Sequence, residues 1–163
     1  MSASDPTLQR LEHDHLHIAK LVEALRETLQ AAIRGEHDVT SLHAELEEFL
    51  SLAQEEIFEH FQREEEALFP FVMEHFPDTA DTIRGLERAH DHICGVTSRM
   101  MHIADTGPEG TAQQLDALLS LFARFDAYFS RHAKEEGKLL EFLRFNLGDQ
   151  ERARLALILE DIG

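Results

Sequence analysis

Cysteine is nearly absent from this chain. The single Cys94 excludes an internal disulfide framework and a zinc site built from cysteines, and it fits a reducing cytosol better than a secreted setting. Tryptophan is missing and tyrosine occurs once, at Tyr128. Cations are scarce: 15 Lys and Arg stand against 32 Asp and Glu, a formal charge of −17 with neutral histidines. Such a surface repels phosphate backbones and anionic lipid, so neither nucleic acid nor membrane is an expected partner. No run approaches the roughly 18 apolar residues of a membrane span, and no basic stretch leads into an apolar run at the start, so a cytoplasmic protein is expected. With 8 glycines and 4 prolines the punctuation is sparse, and no stretch keeps the two-residue alternation of a strand.

What is present is 43% hydrophobic and 29% charged residues in a chain of 163. That is enough to close one core and too little bias for disorder, so a single domain over 1–163 is expected. The excess is in histidine, with 11 copies, and where they fall decides the reading.

Apolar residues recur at helical spacing throughout, which predicts an all-α chain. A first helix opens near Asp5-Pro6 and runs to about Arg34, where Gly35 ends it. Its stripe is Leu8, Leu11, His15, Ile18, Val22, Leu25 and Leu29. A second starts between Asp38 and Ser41 and carries Leu46, Phe49, Ala53, Ile57, His60, Glu64 and Leu68. Pro70 should break or kink it, leaving a short helical turn at 71–75. Asp78 is placed to cap a third helix with the stripe Ile83, Leu86, His90, Ile93, Thr97, Met100 and Ala104. The stretch 106–110 reads as the clearest loop, after which Thr111 and Gln114 form a capping box. The fourth helix then carries Leu118, Leu121, Phe125, Tyr128, His132, Glu136, Leu139 and Leu143. A short amphipathic fifth helix over about 149–162 should pack outside an up-down-up-down four-helix bundle spanning about 5–146.

The two halves repeat one another. His15-Leu16-His17-Ile18 matches His90-Asp91-His92-Ile93, and His60 with Glu64 matches His132 with Glu136, each pair four residues apart. At about 100° per residue these spacings place His15, His60, His90 and His132 within the apolar stripes, with each glutamate one turn beyond its histidine on the same face. A lone histidine on such a stripe is ordinarily a hydrogen-bonded core residue. Four in register with two stripe glutamates are not independent accidents. Buried carboxylates are costly unless paired or bound to a cation. Two ions bridged by the glutamates, each held by two histidines, satisfy every inward polar group at once and leave coordination positions open for a small ligand. Imidazole with carboxylate suits iron, manganese or zinc.

His13, His17, His37, His43, His75, His92 and His102 lack a repeated inward partner and are expected to be solvated. Tyr128 is expected in the core with a satisfied hydroxyl, or else as a donor beside the metals, and Cys94 as a small buried thiol. Glu65 and Glu135 should matter much less than Glu64 and Glu136. A ferritin-like iron oxidase or store would instead use Glu12 with His15 and Glu87 with His90. That choice leaves His60 and His132 unexplained.

The order His15, then His60-Phe61-Gln62-Arg63-Glu64, then His90, then His132-Ala133-Lys134-Glu135-Glu136 resembles the hemerythrin-like family, the HHE cation-binding domain, over about 8–143. The run from His60 through Glu65 to Leu68-Phe69-Pro70 is especially similar to its second-helix signature. The resemblance implies a non-haem di-iron centre with Glu64 and Glu136 as bridging carboxylates and an oxo or hydroxo bridge, manganese or zinc being possible substitutes. It implies a small ligand, O2, peroxide or nitric oxide, and an unidentified electron donor or protein partner, in stress response or in sensing without turnover. Oxygen-carrying members have a further histidine where this chain has Cys94, and an aspartate where it has Gly137. A more open metal pair follows, favouring reaction over reversible carriage.

Overall fold

The computed structural model describes residues 6–162, with side chains described at 8, 9 and 16–160. All of the regular structure in that span is helical, as the spacing predicts.

Helix α1 covers Pro6–Ile33, with proline at the first position, where its missing N–H is no loss. It closes on Gly35, whose φ of 76° is a left-handed conformation. The Gly35 and Glu36 N–H groups bond back to the carbonyls of Ala32 and Ala31 at 3.0 and 2.9 Å, which satisfies the last turn. Helix α2, Val39–Arg63, begins on Asp38, whose carboxylate accepts from the Ser41 N–H at 3.4 Å.

Pro70 does not break the second rod. A π-turn, Glu64–Leu68, leads directly into α3, Phe69–His75. Proline cannot bond the carbonyl four residues back, and its ring presses on that carbonyl. The chain relieves this by widening the preceding turn, so that the Phe69 N–H bonds to the Glu64 carbonyl, five residues back. The expected separate turn at 71–75 therefore starts earlier and continues the helix.

Two other expected boundaries also differ. Asp78 lies inside a 3-10 turn, Pro77–Thr79, and α4, Ala80–Ala104, follows Thr79 without a side-chain cap. Pro77 presets the helical φ and starts the turn upstream of Asp78. The expected loop at 106–110 opens α5, Gly107–Gln113. Gly107, with φ of 82°, redirects the chain, and Pro108 then occupies the first turn. Thr111 caps nothing: it is fully buried, and Gln114 donates its side-chain amide to the Gly110 carbonyl at 3.3 Å. The long α6, Leu115–Asn146, and α7, Asp149–Ile162, complete the chain.

Helix α1 packs beside α2 and α6, and α4 packs beside the same two helices. This closes the ring of an up-down-up-down bundle. Two apolar clusters fill it. One includes Ile18, Leu29, Phe49, Ile57, Met100 and Phe125, the other Leu8, Leu68, Ile83, Leu86, Leu140 and Leu143, with Leu155 and Leu159 of α7 packed against it. Each fully buried side chain of this kind contributes about 1.5–3 kcal/mol, so the bundle does not depend on its polar layer. That layer lies between the two clusters, at the level of His60, His90 and His132.

Candidate metal centre

Histidine 60 sits in the last turn of α2, and Glu64 opens the π-turn, so the two point into the bundle from one strip of backbone. His90 comes from α4; His132 and Glu136 come from α6 one turn apart. All five are shut from solvent, with exposures of 2% or less. The sixth expected member, His15, lies on α1 between the buried Leu8 and Ile18, and its side chain falls outside the described residues, as do those of Glu12 and His13.

The five converge on a small volume. Glu64 Oε1 lies 3.2 Å from His60 Nε2, 3.2 Å from His90 Nε2 and 3.7 Å from His132 Nε2. Glu136 Oε2 lies 3.2 Å from His132 Nε2 and 3.8 Å from His60 Nε2. The Nε2 atoms of His90 and His132 face each other at 3.3 Å. Donor atoms of Glu64, His90 and His132 lie within 4.8 Å of one another, and so do those of His60, Glu64 and Glu136. Glu64 belongs to both trios. Glu87 belongs to neither.

Burial alone works to raise the Glu64 carboxyl, but His60 and the imidazoles closing on it hold it well below the ordinary carboxylate range. It is an anion in the interior, and among the described residues three imidazole nitrogens lie 3.2 to 3.7 Å from Oε1 while neither oxygen has a partner in regular hydrogen-bond geometry. Buried carboxylate oxygens without regular donors are uncommon in proteins, and the imidazole nitrogens facing one another across them offer a set of lone pairs once they give up their protons. A cation placed among them satisfies this arrangement, and the donors present are those of iron, manganese or zinc.

The rings are held by packing. His90 is sandwiched between Phe61, with centroids 3.7 Å apart and planes 13° apart, and Phe69, at 5.7 Å and 19°. Phe61 also meets His132 edge-on at 5.6 Å. A residue expected to matter little stands close by: Glu65 Oε1 is 2.9 Å from His90 Nδ1. A regular helix turns each residue about 100° from the last, so spacing gave no sign that neighbouring Glu64 and Glu65 serve one ring. The only available signal was the pair of glutamates six and five residues before Pro70, where the helix has to widen. Glu135 is half-buried and pairs with Lys138 at 3.4 Å.

Other expectations need correction. Tyr128 is 36% exposed and outside the core; Phe129 takes the buried position, and Tyr128 stacks on the exposed His92 at 5.1 Å. His43 and His75 are half-buried rather than solvated. Each bonds a backbone carbonyl at 2.9 Å, Ala104 for His43 and Phe71 for His75. Cys94 is half-buried, and burial together with Asp91 and Glu65 pushes its thiol upward, which keeps it protonated and a poor ligand. Between α4 and α6 a groove of about 370 Å³, lined by Gly85, Ala89, His92, Tyr128 and Arg131, reaches His132.

Among described residues no helix is long and apolar enough to cross a membrane. Curated proteins and solved structures give no match to the chain. The family described as Hemerythrin HHE cation binding domain matches residues 7–143, nearly the full length of the bundle. Its cation-binding character agrees with the buried histidine and glutamate cluster on four-helix scaffolding, and the chain belongs to the hemerythrin HHE cation-binding domain family.

Proposed function

We propose that His15, His60, Glu64, His90, His132 and Glu136 hold two iron ions bridged by the two carboxylates, and that the pair binds or reacts with O2, peroxide or nitric oxide. The observation that carries this reading is Glu64, a buried carboxylate shared by two trios of metal-ligating groups and, among the described residues, without a partner in regular hydrogen-bond geometry. Bound iron supplies the electrons that such ligands exchange. The protein supplies the rest: Glu64 and Glu136 offset the charge of two cations, the histidines present neutral nitrogens, and Phe61 and Phe69 keep bulk water from the layer. The α4–α6 groove offers a small ligand a way in, since His132 lines it.

Aerobically purified protein from iron-replete cells is expected to hold two irons per chain with near-ultraviolet ligand-to-iron charge-transfer absorption. One zinc and no such absorption overturns the proposal. Adding hydrogen peroxide or nitric oxide then separates catalytic consumption from a single change of state, and thus an enzyme from a sensing module.

A further inference from the structure

We infer that Glu65 is a positioning residue for His90, fixing which of its ring nitrogens faces the polar layer. The inference deepens the proposed reading of the site and rests on it for the metal arm of its test. Glu65 Oε1 lies 2.9 Å from His90 Nδ1, while Nε2 of the same ring lies 3.2 Å from Glu64 Oε1. A carboxylate only accepts hydrogen bonds, and of these two carboxylates only Glu65 meets the ring in hydrogen-bond geometry, so the ring hydrogen belongs on Nδ1 and the lone pair on Nε2, aimed inward. Phe61 and Phe69 clamp the faces of the ring, which holds its plane but does not choose between its two nitrogens. Glu65 makes that choice. It reaches the ring because the π-turn that starts at Glu64 brings two successive glutamates to the same histidine.

The two glutamates differ in setting. Glu64 is fully buried, whereas the Glu65 side chain is 44% exposed. Glu65 can therefore be replaced without opening the core. His90 belongs to the trio with Glu64 and His132 and not to the trio of His60, Glu64 and Glu136. The effect of Glu65 should accordingly fall on one ion of the pair. A carboxylate behind a ligating histidine is generally worth about 10- to 100-fold in metal affinity.

The test compares the wild-type chain with Glu65→Ala and Glu65→Gln. Cobalt(II) is titrated against a chelator, and long-range proton–nitrogen NMR of the metal-free protein reads the His90 tautomer. The Ala variant is expected to bind one of two cobalt ions about 10- to 100-fold more weakly, and its His90 to populate both tautomers. The Gln variant, whose amide oxygen still accepts from Nδ1, is expected to recover most of the affinity and the single tautomer. An unchanged tautomer and unchanged affinity in Glu65→Ala overturn the inference. Equal weakening of both ions with a lowered melting temperature of the metal-free protein also overturns it, because that pattern reports damage to the fold. If wild-type protein takes up no cobalt, the metal reading of the site fails, and the tautomer measurement alone decides the role of Glu65.

Discussion

The ring of Phe61 lies nearly parallel to that of His90, 13° between planes and 3.7 Å between centroids. Phe61 itself lies in the last turn of α2, next to His60, and meets His132 of α6 edge-on at 5.6 Å. One phenyl ring therefore shapes the setting of histidines on three helices.

Replacing Phe61 by Leu keeps most of the volume and loses the flat face. The expected cost is about 1–1.5 kcal/mol in the metal-free protein, with metal affinity reduced by about 10-fold or more as His90 loses its clamp. Thermal unfolding and chelator competition measure the two effects. Unaltered affinity would show that the stack serves packing alone.

Glu64 joins both trios, and Glu136 lies within 3.2 Å of His132 and 3.8 Å of His60. Glu64→Ala is expected to abolish uptake of both ions and Glu136→Ala to weaken both. Glu135→Ala removes only a half-exposed partner of Lys138 and should retain full metal content. Elemental analysis of the three variants checks this, and equal loss from Glu135→Ala and Glu64→Ala contradicts the register of the site.

Removing the metal should lower stability without unfolding the helices. Binding to the folded state alone adds about 2.7 kcal/mol when free metal exceeds its dissociation constant a hundredfold, a melting shift of roughly 5–10 °C for a domain of this size. The clusters around Phe125 and Leu140 are buried without any metal, so the far-ultraviolet circular dichroism of chelated protein should stay helical. Coincident melting curves for loaded and chelated protein would falsify the shared buried site.

Acid should remove a definite part of the metal-free stability. The folded chain holds the Glu64 carboxyl below its ordinary value, so as pH falls through about 4.3 the unfolded chain takes up a proton that the folded chain still refuses. The contribution of Glu64 is fully present above that pH and is lost as pH drops toward the folded value. Between pH 6 and 3 the wild-type melting temperature should fall more steeply than that of Glu64→Gln, which lacks this proton. Parallel curves would place the carboxylate's stabilisation elsewhere.

Much of this protein is legible in its sequence because helices bury one face at a fixed period. Ile83, Leu86, His90, Ile93, Thr97, Met100 and Ala104 were expected on one face of the third long helix, and all are buried. His60 with Glu64 and His132 with Glu136 follow from the same period, and the internal repeat places both pairs in one layer. Gly35 and Asp38 mark helix ends through φ and side-chain bonding that only a few residue types provide.

Other features depend on neighbours far along the chain. Tyr128 and Phe129 both sit near the edge of an apolar stripe, and only the packing of α6 in the ring decides that Phe129 is buried and Tyr128 meets His92. His43 reaches the Ala104 carbonyl across 61 residues, a contact that helical periodicity does not carry. The turn before Pro70 could close as a break, a kink or a π-turn by local rules. Packing of Ala67, Leu68 and Phe69 into the second cluster holds it as a continuous, widened helix, and that widening puts Glu65 against His90. Periodicity determined which residues face inward, because it is a property of one helix; which of them touch was decided by the relative rotation of four helices and one widened turn, which exists only once the core has closed.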